Sequence, residues 1–117
     1  MSDVRRFDYF EPLFPELFRD CHPLNVSCPP GWAPQVSTAL SAIHQIAPET
    51  RIDCIKQKFG HLRIYVTHPV YAIIDECAQH CARVCERCGK SSDTVTTKCD
   101  PDGRWIYTSC EPCRRAR

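Results

Sequence analysis

Apolar residues in the middle of the chain recur at two different spacings, and each spacing predicts a different element. Between residues 33 and 47 they fall every three or four positions, which is typical of an amphipathic helix. Residues 62–67 alternate apolar and polar side chains, as a half-buried strand does. Residues 70–84 carry a second helical stripe. The pattern therefore predicts a strand pair with one helix before it and one helix after it in the chain.

The strand pair is predicted as a β-hairpin over residues 51–67. Arg51–Lys58 forms the first strand, Leu62–Thr67 the second, and Phe59-Gly60-His61 the turn. The apolar face of this hairpin is expected to cover the helix at 33–47. Together these elements predict an α+β fold, with helices packed on a short antiparallel sheet.

The first 31 residues are rich in aromatic side chains that two prolines interrupt, and a short helix is predicted at Pro15–Arg19. We expect these aromatic residues to pack across the main body of the protein. The alternative is an exposed aromatic patch that binds a partner.

Two Cys-x-x-Cys pairs dominate the last third of the chain. Cys85 and Cys88 form the first pair, Cys110 and Cys113 the second, and a predicted hairpin (94–98 with 104–108) brings them together. This spacing is typical of a structural Zn²⁺ site with four thiolate ligands and no open coordination position. The same ligands also fit an iron site of rubredoxin type, or two disulfides. Zinc is the preferred interpretation, and its binding would supply much of the folding energy of residues 85–117.

The chain has ten cysteines, so six need a separate account. Cys21, Cys28, Cys77 and Cys81 form an alternative second metal site, since two lie in one loop and two lie one helical turn apart. The simpler interpretation is that such residues are small buried apolar side chains.

Charge is distributed unevenly, although the net charge is only +1. Residues 1–50 have three basic and six acidic residues (−3), whereas residues 85–117 have seven basic and five acidic residues (+2). Nucleic acid is therefore a candidate partner only at local basic groups. The candidate contacts are Lys56, Lys58, Arg63, Arg114, Arg115 and Arg117.

The sequence lacks the motifs of common enzymes, including a phosphate-binding Gly-rich loop, His-Glu-x-x-His and Gly-x-Ser-x-Gly. We therefore expect a protein without enzymatic activity. No apolar run follows Met1 and none is long enough for a membrane span, so we expect a cytoplasmic protein that does not enter a membrane. Paired cysteines in a reducing compartment favour metal binding over disulfides.

Several stretches together resemble a group of small uncharacterised proteins of tailed bacteriophages and prophages. They are Gly31-Trp32 with the helix that follows, the hairpin segment 55–66, Cys85-Glu86-Arg87-Cys88-Gly89, Gly103-Arg104-Trp105, and Cys110-Glu111-Pro112-Cys113. The resemblance covers roughly residues 28–113 and implies a phage or prophage accessory protein of the bacterial cytoplasm.

The sequence thus predicts three segments: an aromatic-rich stretch (1–31), an α+β body (32–84) and a zinc-ribbon or treble-clef-like module (85–117). The leading functional hypothesis is a zinc-stabilised module that binds a host or phage protein, for example as an inhibitor of a host defence protein. A nucleic-acid-binding zinc ribbon and a structural component of the virion are the alternatives.

Overall fold

A computed structural model describes residues 7–116 and confirms the α+β fold, with helices and two small antiparallel sheets. The helices are α1 (Phe7–Phe10), α2 (Ala33–Ile46), α3 (Tyr71–Cys81) and α4 (Glu111–Arg115). The strands are β1 (Ile52–Lys58) and β2 (His61–Val66) in one sheet, and β3 (Thr96–Cys99) and β4 (Ile106–Ser109) in the other. Two 3₁₀ turns, Pro23–Asn25 and Pro30–Trp32, precede α2.

Helix α2 forms where the apolar stripe predicts it, and it buries Val36, Leu40 and Ile43 completely. Pro34 lies in its first turn. A backbone N–H at this position would have no helical carbonyl to bond to, so proline, which lacks that N–H, is tolerated there. The helix ends at Ile46, two residues before Pro48. The stripe is therefore part of the core.

Strand β1 does not alternate regularly because it contains a β-bulge. The pairing runs from Ile52 opposite Val66 to Cys54 opposite Tyr65, so one extra residue lies in β1 at Asp53. The extra residue reverses the side of the strand that faces the core, and both Ile52 and Ile55 are buried although they are three positions apart. The bulge therefore keeps both isoleucines on the core side of the hairpin.

The hairpin packs mainly on α3 through β2, and α3 in turn packs on α2. The prediction that the hairpin covers α2 is therefore not confirmed. The helix that the hairpin contacts most is α3, and the hairpin and α2 belong to the same core. Helix α3 ends at Cys81, earlier than predicted, and two turns carry the chain on to the first cysteine pair. In these turns Arg83 donates to the carbonyl of His80 and Val84 donates to that of Cys81, both at 3.1 Å.

The predicted helix at Pro15–Arg19 is wrong. That segment consists of successive turns with i to i+3 hydrogen bonds, such as Leu17 N to Phe14 O at 3.0 Å. Here a tertiary contact competes with the helix, because the carbonyl of Leu17 accepts from Ile52 N at 2.7 Å. The segment is therefore tied to β1.

The aromatic residues before and within these turns pack into the body, as expected. Phe10, Leu17 and Phe18 are buried, and the rings of Phe10 and Phe18 are stacked with their centroids 6.2 Å apart. The ring of Phe7 meets Phe18 edge-on at 5.8 Å. Most of this aromatic surface is consequently not available to a partner.

Candidate metal centre and basic strand face

The two Cys-x-x-Cys pairs meet in one cluster. The sulfur atoms of Cys85, Cys88, Cys110 and Cys113 all lie within 4.8 Å of one another. Cys88 Sγ is 3.7 Å from Cys110 Sγ, which is too long for a disulfide. Four sulfurs on a tetrahedron with bonds of about 2.3 Å to a central ion would be separated by about 3.8 Å. The spacing and chemistry of these donors therefore fit a four-coordinate metal ion.

Each pair is positioned by a local structure with a physical cause. The first pair follows the two turns after α3, and Gly89, just past it, adopts a φ of +80°, which glycine tolerates best. The amide N–H of Cys88 points at Cys85 Sγ (3.5 Å) and that of Lys90 at Cys88 Sγ (3.4 Å). The second pair follows β4 and enters α4. Backbone N–H donors aimed at sulfur stabilise thiolates, the form that binds metal.

The protonation behaviour of the cluster agrees with a site that needs a cation. Burial raises the pKa of Cys85, but backbone donors including the amide of Cys88 outweigh it and lower this pKa to about 6. Burial, followed by interactions with the other three cysteines, raises the pKa of Cys113 to about 12. One thiolate therefore forms readily, and further negative charge in the cluster requires compensation, which a divalent cation provides.

The four cysteines of the alternative second metal site, unlike the first four, do not lie together in one cluster. Within residues 7–116, the four-cysteine cluster is the only group of three or more His, Cys, Asp or Glu side chains close enough to share an ion. Cys81 lies near both Cys77 and Cys28 in the core, whereas Cys21 lies near Cys54 and Asp53. Cys28 and Cys81 are completely buried, in agreement with the interpretation of these cysteines as small apolar residues.

A residue that the sequence analysis missed joins the metal centre to the body. Glu86, between the first two cysteines, is only 4% exposed. Its carboxylate accepts hydrogen bonds from the amide of Gln57 in β1 and from Thr108 N in β4 at 3.2 Å. Gln57 also donates to the carbonyl of Ile106 at 2.8 Å. Nothing in the sequence marks Glu86 as buried, because its partners are distant along the chain.

Gly31 and Trp32 form a second link between the body and the metal centre. Gly31 N donates to the carbonyl of Glu86 at 2.7 Å, and a Cβ at Gly31 would lie 2.1 Å from the carbonyl oxygen of Cys85. Trp32 is completely buried, and its indole N–H donates to the carbonyl of Val84 at 2.9 Å. Only glycine allows this close approach of the two backbones.

The turn of the first hairpin contacts the second sheet. Thr108 Oγ1 donates to the carbonyl of Gly60 at 2.7 Å, and it shares a hydrogen bond of 2.6 Å with Thr97 Oγ1. A Cβ at Gly60 would lie 2.5 Å from a methyl group of Thr97. The three segments predicted from the sequence are therefore connected by buried polar contacts.

The outward face of the first sheet gathers three of the predicted nucleic-acid contacts. Lys56 lies opposite Arg63, and Lys58 lies opposite His61. The ammonium group of Lys56 is 5.6 Å from the ring centroid of Tyr65. We call this surface the basic strand face, and its members are Cys54, Lys56, Lys58, His61, Arg63 and Tyr65.

The C-terminal arginines are placed differently. The guanidinium group of Arg114 donates to the carbonyl of Thr96 at 2.6 Å and to that of Ser109 at 3.1 Å, so it ties α4 to both strands of the second sheet. Arg115 forms a hydrogen-bonded ion pair with Glu111, and this contact lowers the pKa of the Glu111 carboxyl group. Arg117 lies outside the described residues. Arg114 and Arg115 thus have intramolecular partners.

No family model, curated protein or solved structure matches this chain. None of the helices between residues 7 and 116 combines the length and the apolar character needed to cross a membrane.

Proposed function

We propose that this protein is a zinc-stabilised nucleic-acid-binding protein without enzymatic activity, and that it contacts the phosphate backbone through the basic strand face. The observation that carries the proposal is the alignment of Lys56, Lys58 and Arg63 on one side of a two-stranded sheet. Their positive charges lie side by side, where they would repel one another unless an anion lies across them.

These three cations are available to a ligand. None of them has an ion-pair partner among residues 7–116, and the side chains of Lys58 and Arg63 are exposed. The two strands contain a single acidic residue, Asp53, which lies at the bulge, at the end of β1 remote from Lys58. The face is therefore a local positive patch on a chain of nearly neutral net charge.

Zinc is the ion that best suits the cysteine cluster. Four thiolates with tetrahedral spacing are typical ligands of structural zinc, and they leave no coordination position for a substrate or an activated water. The role of such an ion is to stabilise the fold, here by fixing residues 85–113 so that Glu86 and Thr108 can bind to the first hairpin.

We rank nucleic-acid binding above the binding of a host or phage protein, which the sequence analysis favoured because the net charge is close to zero. The candidate surface for a protein partner was the aromatic N-terminal segment, where Phe10, Leu17 and Phe18 are buried and Tyr9 and Leu13 are exposed. In the basic strand face, Lys58, His61, Arg63 and Tyr65 are exposed, whereas Cys54 and Lys56 are partly buried. The phage or prophage origin, the inhibition of a defence protein and the role in the virion stay untested predictions.

Salt dependence of binding to a generic oligonucleotide tests the proposal. Contacts with three phosphates predict that the affinity falls about 20- to 40-fold between 50 and 200 mM salt, because each contact releases counterions. The Arg63→Glu variant should bind at least about tenfold more weakly. The Arg83→Glu variant is the matched control, since Arg83 is an exposed arginine just after α3. If the folded, zinc-loaded protein bound no oligonucleotide at 50 mM salt, or if Arg63→Glu bound as well as Arg83→Glu, the proposal would be wrong.

A further inference from the structure

We infer that the basic strand face is built for single-stranded nucleic acid rather than for a duplex. This inference deepens the proposed function and rests on it. It starts from two exposed aromatic rings, those of Tyr65 and Phe59, which the phosphate contacts alone do not require. Tyr65 is 46% exposed and Phe59 is 64% exposed.

Each ring is associated with one of the cations. The ammonium group of Lys56 is 5.6 Å from the ring centroid of Tyr65, and that of Lys58 is 5.8 Å from the ring centroid of Phe59. A base stacked on either ring would therefore lie beside a cation that attracts the charged backbone of the same strand. Alternation of stacking rings and cations is the arrangement by which proteins bind single strands without strong sequence preference.

Phe59 is an unusual residue for its position in the turn. Phe59 and Gly60 have φ angles of +55° and +80°, as the two central residues of a type I′ hairpin turn must, but Asn, Asp and Gly adopt this conformation at a lower cost than a bulky side chain does. In the same turn, Gly60 lies against the second sheet, while Phe59 remains exposed. An exposed ring held in this conformation at the end of a positive surface is explained if it binds an aromatic group of a ligand.

A duplex fits this surface less well. A two-stranded ribbon can enter a major groove, but there it reads base edges through hydrogen-bonding side chains, and the faces of the bases are covered by their neighbours. The ring of Phe59 has no hydrogen-bonding group. At the tip of the ribbon the second sheet covers Gly60 through Thr97 and Thr108, which leaves only the part with Phe59 exposed. Unpaired bases offer the faces that both rings can stack on.

The test compares binding of a fluorescent 12-nucleotide mixed-sequence single strand and of the matching duplex to the full chain at 50 mM salt. We expect the single strand to bind at least about tenfold more tightly. Tyr65→Ala and Phe59→Ala should each weaken single-strand binding at least about fivefold, which corresponds to the low end of one stacking contact. They should change duplex binding less than twofold.

Two further variants separate stacking from misfolding. Tyr65→Phe keeps the ring and should bind the single strand as well as the unmodified protein does. Tyr71→Ala removes a ring that is 66% exposed on α3 and does not belong to the basic strand face, and it should have no effect. Equal or tighter duplex binding, or unchanged single-strand binding by both alanine variants, would overturn the inference while leaving the proposed function in place. Failure to bind either oligonucleotide would instead overturn the proposed function.

Discussion

The side-chain amide of Gln57 donates to both carboxylate oxygens of Glu86, at 3.2 and 3.0 Å, across 29 residues of sequence. Gln57 belongs to the first hairpin, and Glu86 lies between two metal-ligand candidates. Because the carboxylate is almost completely buried, these contacts and that from Thr108 N replace its lost hydration. The metal centre and the hairpin are thus joined at one buried acidic residue.

The first prediction concerns this contact. Glu86→Ala leaves the amide of Gln57 and the N–H of Thr108 without their carboxylate acceptor, and unsatisfied buried donors are costly. We expect the free energy of unfolding, measured by urea titration of the zinc-loaded protein, to fall by about 2 kcal/mol. Glu76→Ala, at an exposed acidic residue of α3, is the control and should change stability by less than about 0.5 kcal/mol. Equal effects of the two substitutions would show that Glu86 does not join the two parts.

The second prediction concerns the close approach at Gly31. A Cβ there would lie 2.7 Å or less from three backbone atoms, those of Cys85, Glu86 and Gly89, none of which can move aside easily. Gly31→Ala should therefore lower the free energy of unfolding by about 3 kcal/mol and weaken zinc binding in competition with a chromogenic chelator.

Gly103→Ala is the matched control for this substitution. Gly103, unlike Gly31, has a positive φ, of +72°, but a Cβ there meets nothing within 4 Å. Its replacement should cost only the strain of the backbone conformation, about 1 kcal/mol, and should leave zinc affinity unchanged. A zinc affinity of Gly31→Ala equal to that of Gly103→Ala would contradict the docking that we describe.

The sequence predicted much of this architecture, because its main signals are local. The stripe of α2, the alternation in β2 and the Cys-x-x-Cys spacing each depend on a few neighbouring residues, and all appear in the structure. The bulge at Asp53 was not predicted, since an inserted residue is recognised only when its partner strand is known.

The errors arose where tertiary contacts outweigh local preference. Pro15 suits a helix start, yet the backbone after it bonds to β1 and forms turns. The roles of Glu86 and Gly31 depend on partners from distant segments, so no spacing rule identifies them. The candidate tail contacts were selected by charge alone, but Arg114 bonds to the strand ends beside it.

The third prediction concerns one ligand. Cys88→Ser should remove one thiolate and release the ion, so that amide protection against hydrogen exchange is lost across residues 85–116. Helix α2 and the first hairpin should keep part of their protection, with the largest loss near Gly60, which contacts Thr108. Cys99→Ser, at an exposed cysteine at the turn end of the second sheet, should change nothing. Unchanged exchange in Cys88→Ser would contradict the assignment of Cys88 as a ligand.

The fourth prediction counts reactive thiols. In the zinc-loaded protein, alkylation followed by intact mass measurement should modify the exposed Cys99 first, because metal-bound thiolates are protected. Removal of the metal with a chelator should add four modifications per chain. Cys28 and Cys81 are completely buried and should react only after unfolding. Four protected thiols that stayed protected after chelation would show that something other than a metal protects them.

The most direct test of the central claim is the metal content of the purified, unmodified chain, measured by elemental mass spectrometry together with protein concentration. The four sulfurs of Cys85, Cys88, Cys110 and Cys113, all within 4.8 Å, should hold a single ion. We predict one zinc per chain, falling to near zero in Cys88→Ser and remaining at one in Cys99→Ser. A protein without metal, or one that contains iron in place of zinc, would contradict the account.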